Sequence, residues 1–486
     1  MADRLTFNHG ASALTSRLIG RHERGGRVRR RDLAETWPGP REAARADLSR
    51  ALVRAERADA SFWGVFAFTA LLFFRPQDSL PPLEPLHLPE IAAVTALITM
   101  AVRRAGLGLA PVPAVAAVAP LAAFAAVMVA TAPFSIWPSG ALSTFTDLFL
   151  KVVLVFMLLT HSLSSPRLLR RFTWLIVVAM AYIAARGWID YATGNNLLQG
   201  DRLQGALPGL MGNSNDLAMN MVTFLPFVAF AALTRGKTMP RLFAAGVTLL
   251  MLGTIVLTKS RAGFLALAVT GLLIVLQAGR LRPRLAAVLV VVALVVPPIM
   301  PQAFWTRVSS IVNAEDDETG SREARLVLFE EGWAAFLDHP FTGVGAGQFQ
   351  NYNPPERHEL WRETHNVPLQ VLSELGLIGF GAFLWLLIRS GTTLFQTWNA
   401  LRPRRRHGGA SLADGGFAPH EREWMRAHVA ACVAAFAGWL VSAQFGSIGY
   451  YWTLYYVLAL GVAAHEILVR RLAWARGGVA HGAAPA

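Results

Sequence analysis

Several residues in this chain have types and spacings suited to handling an anion next to a hydroxyl. A guanidinium keeps its proton at any reachable pH and is costly near lipid, so arginines at the rim of a membrane domain call for an anion or an acidic partner. Arg202 stands in the polar stretch Gln199-Gly200-Asp201-Arg202-Leu203-Gln204-Gly205, and Arg261 closes the turn Thr258-Lys259-Ser260-Arg261 between two hydrophobic runs. Arg202 is either an exposed loop arginine or an anion ligand. Lys259 and Arg261 either snorkel to the surface or face a cavity at the edge of the helices. His365 precedes Asn366 and Val367 where a polar segment enters a hydrophobic run. Neutral imidazole can take or orient a hydroxyl proton, and a histidine at such a place can equally serve as a cap or packing residue.

Other polar residues have narrower readings. Glu374, two turns into a hydrophobic run, is expected to be uncharged or paired, with an arginine or a neighbouring helix as partner. Lys151, within 142–160, can reach Asp147 one turn earlier or a substrate phosphate. Asn213 and Asn215 can cap the next helix or bind a sugar or phosphate. The run Gly343-Val344-Gly345-Ala346-Gly347 lacks a strand before it and a regular helix after it, so it does not read as a dinucleotide loop. No Walker lysine motif is present, and Asp338, His339 and His365 do not form a recognisable metal cluster. No metal and no cofactor are expected. The single cysteine, Cys432, excludes a disulfide within the chain.

The elements that must position these residues are membrane helices. Of 486 residues, 54% are hydrophobic and 16% charged, and the formal net charge is +14. This balance fits an all-α polytopic membrane protein, and the clustering of the positive charge makes topology, not nucleic acid, its explanation. Apolar runs predict about twelve spans, at 60–74, 88–102, 111–130, 142–160, 172–187, 217–234, 242–258, 262–278, 285–300, 367–388, 427–444 and 449–469. With the N-terminus cytoplasmic, every short inner loop is basic, whereas the outer loops near 131–141 and 445–448 carry no Lys or Arg. Both termini are therefore expected inside.

This frame gives a basic cytoplasmic region 1–59, a membrane domain 60–470 and a tail 471–486. The N-terminal region reads as an interfacial amphipathic helix or a loosely ordered basic tail, not as a signal peptide. Within the membrane domain, 389–426 is a cytoplasmic linker. Segment 301–366 is expected to be a large half-buried loop on the outer side, holding Arg322, Arg325, Arg357 and Arg362. Between Arg322 and Leu337, residues Leu326, Phe329, Trp333, Phe336 and Leu337 recur at helical spacing, so a helix with an apolar face on the bundle or at the lipid interface is expected.

The chain resembles the O-antigen ligase and polymerase family over roughly 60–470. The resemblance rests on Arg202-Leu203-Gln204-Gly205 with Gly212-Asn213-Ser214-Asn215, on Thr258-Lys259-Ser260-Arg261, on His339-Pro340-Phe341-Thr342-Gly343-Val344-Gly345, and on His365-Asn366 followed by Glu374-Leu375-Gly376-Leu377-Ile378-Gly379. Asn213-Ser214-Asn215 departs from the usual asparagine-proline-asparagine, and Arg75-Pro76-Gln77 is similar to a subset acting in exopolysaccharide or protein glycosylation systems. The resemblance implies a metal-independent, inverting glycosyltransferase whose donor is a glycan on undecaprenyl diphosphate. The implied acceptor is lipid A-core, a growing polysaccharide or a glycoprotein. It assigns Arg202 and Arg261 to the diphosphate and His365 to the acceptor hydroxyl, at a site facing the periplasm. Asn213, Asn215, Lys151, Lys259, Glu374, Arg322, Arg325, Arg357 and Arg362 are the further substrate-binding candidates. Ligase is the leading activity, with a polymerase using the same donor as the alternative and a precursor transporter as the second.

Overall fold

Long apolar runs punctuated by caps and prolines make this chain helical. The computed structural model describes residues 58–106, 115–198, 201–207, 211–279, 283, 285, 321–352, 363–402 and 417–480. One compact unit spans 55–475, and the basic region before residue 58 lies outside the described residues. The main helices are α1 (Ala60–Phe74), α2 (Leu88–Gly106), α3 (Val118–Thr131), α4 (Pro138–Ser162), α5 (Pro166–Ala192), α6 (Ser214–Leu233), α7 (Thr238–Leu257), α8 (Arg261–Gln277), α9 (Ser321–Asp338), α10 (Val367–Leu401), α11 (Pro419–Ser442) and α12 (Trp452–Ala480).

The chain is an all-α protein in which eight helices, among the described residues, are long and apolar enough to cross a membrane. This is fewer than the twelve spans expected. Every predicted run except 285–300 falls on a helix, but α1, α3 and α8 have only 15, 14 and 17 residues. At 1.5 Å per residue these reach about 20–26 Å, short of a hydrocarbon layer of about 30 Å. Apart from position 285, the run 285–300 lies outside the described residues. In the other direction, α10 continues through 389–401, where a linker was expected, and is 35 residues long.

Small residues set the crossings. A Cβ on Gly64 of α1 would stand 2.7 Å from Ala96 Cβ of α2, and one on Gly263 of α8 would stand 2.7 Å from Ala218 Cβ of α6. Such contacts let backbones approach where burial in lipid supplies no hydrophobic drive between helices. Helix α6 lies at the centre, packed on α7, α8 and α11.

The glycine run has a structural task. Helix α10 is broken at Gly376, whose φ of 63° lies in the left-handed region that favours glycine. In an unbroken helix Leu377 N–H would donate to the Ser373 carbonyl. Here it donates to the Pro340 carbonyl at 2.8 Å, and the carbonyls of Ser373 and Glu374 accept from Val344 and Gly345 at 2.9 and 2.8 Å. Loop and helix exchange backbone partners, so these groups stay paired across the break. Glu374 completes the joint by accepting from Gly347 N–H at 2.8 Å. It is thus paired with a loop amide and stands against the Tyr450 phenol just before α12, and among the described residues no ion pair joins it to an arginine.

Of the two placements expected for the apolar stripe of α9, on the bundle or at the lipid interface, most of the stripe faces away from the bundle. Leu328, Ala335 and Phe336 are buried, and Gly332 lies against Leu369 of α10. Leu326, Phe329, Trp333 and Leu337 of the periodic stripe are exposed. Phe336 is the buried member of that stripe, and the close approach at Gly332 sets the side that packs on α10.

Candidate active site

The site is built where helix starts meet. Asn213, Ser260 and Asn366 are the N-caps of α6, α8 and α10; each side chain accepts a backbone N–H of the first turn, from Asp216, Gly263 and Leu369 respectively. The starts of α6 and α8 are joined by Ser260 Oγ donating to Asn215 Oδ1 at 2.8 Å. The starts of α8 and α10 face each other across a cavity of about 390 Å³. Arg261, Arg325, Leu326, Phe329, His365 and Gln444 are among its lining residues.

Arg261 is the first residue of α8. A cation there is opposed by the helix macrodipole, so side chain and backbone present positive potential at the same place. That combination is unfavourable for a bare helix and favourable for an anion seated at its start. Two residues beside the cavity hold positive φ without being glycine, Lys259 at 51° and His365 at 48°. Strain of this kind costs about 1–2 kcal/mol per residue and is concentrated at functional sites. Ser447 holds His365 in place, its Oγ accepting His365 N–H at 2.9 Å and lying 3.0 Å from Thr364 Oγ1.

Arg202 reaches the neighbourhood by a different route. Strands β1 (Leu197–Leu198) and β2 (Arg202–Leu203) pair antiparallel, with Leu198 opposite Arg202. Leu203 is fully buried, its side chain beside Gly187 of α5. Alternation along the strand turns Arg202 the other way. Its guanidinium donates to the Thr258 carbonyl at 3.3 Å and to Asn215 Oδ1 at 3.4 Å. Arg202 therefore braces the turn that carries Arg261 and is not among the residues lining the cavity.

The remaining candidates divide. Asn213 caps α6 and also donates to Asp216 Oδ2 at 2.6 Å. Asn215 ties Arg202 to Ser260. Lys259 is neutralised by Asp201 at 2.6 Å. Lys151 is exposed on α4 and is not among the residues lining the cavity, and among the described residues no ion pair joins it to Asp147. The side chain of Arg322, and Arg357 and Arg362 altogether, lie outside the described residues.

A second cavity, of about 180 Å³, adjoins the first through residues 363–366. Glu363, Gln370, Glu374, Ser447 and Tyr450 are among its lining residues. Glu363 is exposed at this cavity yet crowded by protein, and that desolvation raises its carboxyl pKa, with the Ser447 hydroxyl opposing. Burial likewise pushes the Tyr450 phenol well above its ordinary range. Asp216 is close enough to Glu363 for the two charges to repel. Sequence reasoning missed Asp216, Glu363, Ser447 and Tyr450, because each is an ordinary polar residue until three separate segments are brought together.

Basic cavity, caps and glycine joint all bear on one comparison with known proteins. Residues 246–384 match the O-antigen ligase family model. The ligase-family segment is under a third of the chain; it contains Arg261, Arg325, the glycine run, His365 and Glu374. Arg202, Asn213, Asn215, Asp216, Ser447 and Tyr450 lie outside it. No curated protein matches the chain. The match supports an O-antigen ligase or polymerase type of role in a multi-pass membrane protein.

Proposed function

We infer that this protein transfers a glycan from undecaprenyl diphosphate to an acceptor hydroxyl at the periplasmic face of a bacterial inner membrane, as a ligase. The observation that carries the reading is that Arg261, Arg325 and His365 line one cavity, with the exposed Leu326 and Phe329 on its wall. Basic side chains suit the diphosphate, and the apolar wall suits the first part of its prenyl chain.

The reaction is a direct displacement. The acceptor oxygen attacks the anomeric carbon while its proton passes to the His365 imidazole. The bond from that carbon to the phosphate oxygen breaks, and its electron pair leaves on undecaprenyl diphosphate. Arg261 and Arg325 stabilise the developing charge, and Arg202 joins them by holding the Arg261 turn in position. Attack from the face opposite the leaving group inverts the anomeric carbon. Glu363 and its neighbouring polar groups repel the diphosphate and accept from sugar hydroxyls, which keeps donor and acceptor on their own sides of residues 363–366.

Purified full-length protein, mixed with a defined undecaprenyl-diphosphate glycan and candidate acceptors, tests this by product mass. The expected result is a glycan–acceptor product with released undecaprenyl diphosphate and no nucleotide requirement. Glycan added to a second donor glycan would shift the reading to a polymerase. Movement of donor across vesicles with no covalent product from any acceptor would replace it with a transporter.

A further inference from the structure

A larger cavity, of about 810 Å³, lies at the other end of the bundle. The caps at the candidate active site sit at the start of α6, whereas Phe230 and Thr234 at its finish line this cavity. Twenty residues of helix separate the two by about 30 Å. Helix α11 gives the same answer: Gln444, just past its end, lines the site, and His420, at its beginning, lines this cavity.

Its walls have two characters. Trp174, Phe227, Phe230 and Phe243 make part of the lining apolar and aromatic. Arg170, Arg235, Lys237 and Arg241 add a basic part, with Glu423 as the acidic lining residue. Arg241 is already committed, donating to the Ala232 carbonyl at the end of α6 at 3.1 Å. Arg235 meets Glu423 loosely, at 3.7 Å, with both side chains exposed. Arg170 and Lys237 have no hydrogen-bond or ion-pair partner among the described residues. The Arg170 guanidinium nonetheless stands over the 234–237 turn, 3.8 Å from where a Cβ on Gly236 would be.

Cations kept together without enough acid repel one another unless an anion joins them. The tendency of one membrane side to be basic accounts for arginines in these loops, but not for their convergence on a cavity with an aromatic wall. We propose that this cavity binds an anionic glycerophospholipid, its phosphodiester held by Arg170, Arg235 and Lys237 and the upper part of its acyl chains lying along Trp174, Phe227 and Phe230. A free phosphate would leave the aromatic wall uncovered, and a zwitterionic lipid would bring its own cation to the arginines.

Native mass spectrometry of the full-length protein in detergent tests this, with dioleoyl phosphatidylglycerol and dioleoyl phosphatidylcholine as probes. The protein is expected to retain the former over the latter. Arg170→Gln with Lys237→Gln should weaken phosphatidylglycerol retention about 10- to 30-fold, at about three- to fivefold per surface cation. Arg170→Lys, which keeps the charge, should retain the lipid, as should Arg389→Gln, an exposed arginine outside the cavity. Both residues of the double variant are exposed, so it should fold, and an unchanged melting temperature checks that it does. Equal retention of the two lipids, undiminished phosphatidylglycerol retention by the folded double variant, or complete displacement by millimolar inorganic phosphate would overturn the proposal.

Discussion

Two stretches that carry the family resemblance are used in opposite ways. In Thr258-Lys259-Ser260-Arg261 the backbone closes a tight turn, and its last residue reaches a cavity with a charged side chain. In Gly343-Val344-Gly345-Ala346-Gly347 the side chains are small or absent, and the backbone supplies the missing half of a broken helix. A recurring motif can thus mark chemistry or geometry, and hydrogen-bond accounting separates them. The glycine run donates three main-chain N–H groups to Ser373 and Glu374.

The sharpest way to break this contrast is to give the glycine loop a side chain. At Gly345 φ is 111°, and a Cβ would stand 1.9 Å from Ser135 Oγ. Gly345→Val should cost upwards of about 2 kcal/mol and cause loss of the folded protein. The check is a thermal melt with size-exclusion profile. A variant that melts normally but no longer turns over would move the loop from geometry to chemistry. The next largest effect belongs to the other stretch. Arg261→Ala should lower turnover about 10²–10³-fold with the melting temperature little changed, because what is lost is charge stabilisation in the cavity. Unchanged donor binding and turnover would remove Arg261 from the site.

Which of these roles could be read from sequence follows from their range. The positions of Arg261 and His365 at helix starts were legible, because a charge in a short turn and a polar pair before a hydrophobic run are local facts, whereas their sharing one cavity is not local. Most spans were legible for the same reason, though the short α1, α3 and α8 show that an apolar run does not guarantee a crossing length. The task of the glycine run was not legible, since its partners, Ser373 and Glu374, lie about 30 residues on. For α9 the sequence left two placements open, because periodicity identifies an apolar face and in a membrane both faces can be apolar; the close approach at Gly332 decides between them. Glu363 and Ser447 became part of a site only when loops before α10 and after α11 met.

A finer division runs inside the basic region itself. His365→Ala should lower turnover about 10²-fold with donor affinity retained, as expected for a proton acceptor that does not hold the diphosphate. Equal losses in the two measurements would make His365 a binding residue. Lys259 should matter less still, since Asp201 already neutralises it. A double-mutant cycle with Lys259→Ala and Asp201→Ala should give a coupling of about 1 kcal/mol or less in stability, in line with a pair in which Asp201 is exposed. A larger effect of Lys259→Ala on donor affinity would show the lysine leaving its partner for the substrate.

Glu363 gives the smallest effect and the most direct view of the acidic side. Crowding by protein raises its carboxyl pKa, so the folded protein holds that proton to higher pH than the unfolded chain does. Between the ordinary glutamate range and the raised folded value, the folded state binds more protons, and stability falls as pH rises through that window. Glu363→Gln carries no charge at any pH and should lose this slope. Its melting temperature should exceed that of the parent at pH 8 and should not exceed it at pH 4. Because Glu363 is exposed at the cavity, water screens it and the difference should be modest. Parent and variant melting in parallel across that range would mean that solvent, not the neighbouring polar groups, sets its charge, and that the acidic cavity does not separate acceptor from diphosphate.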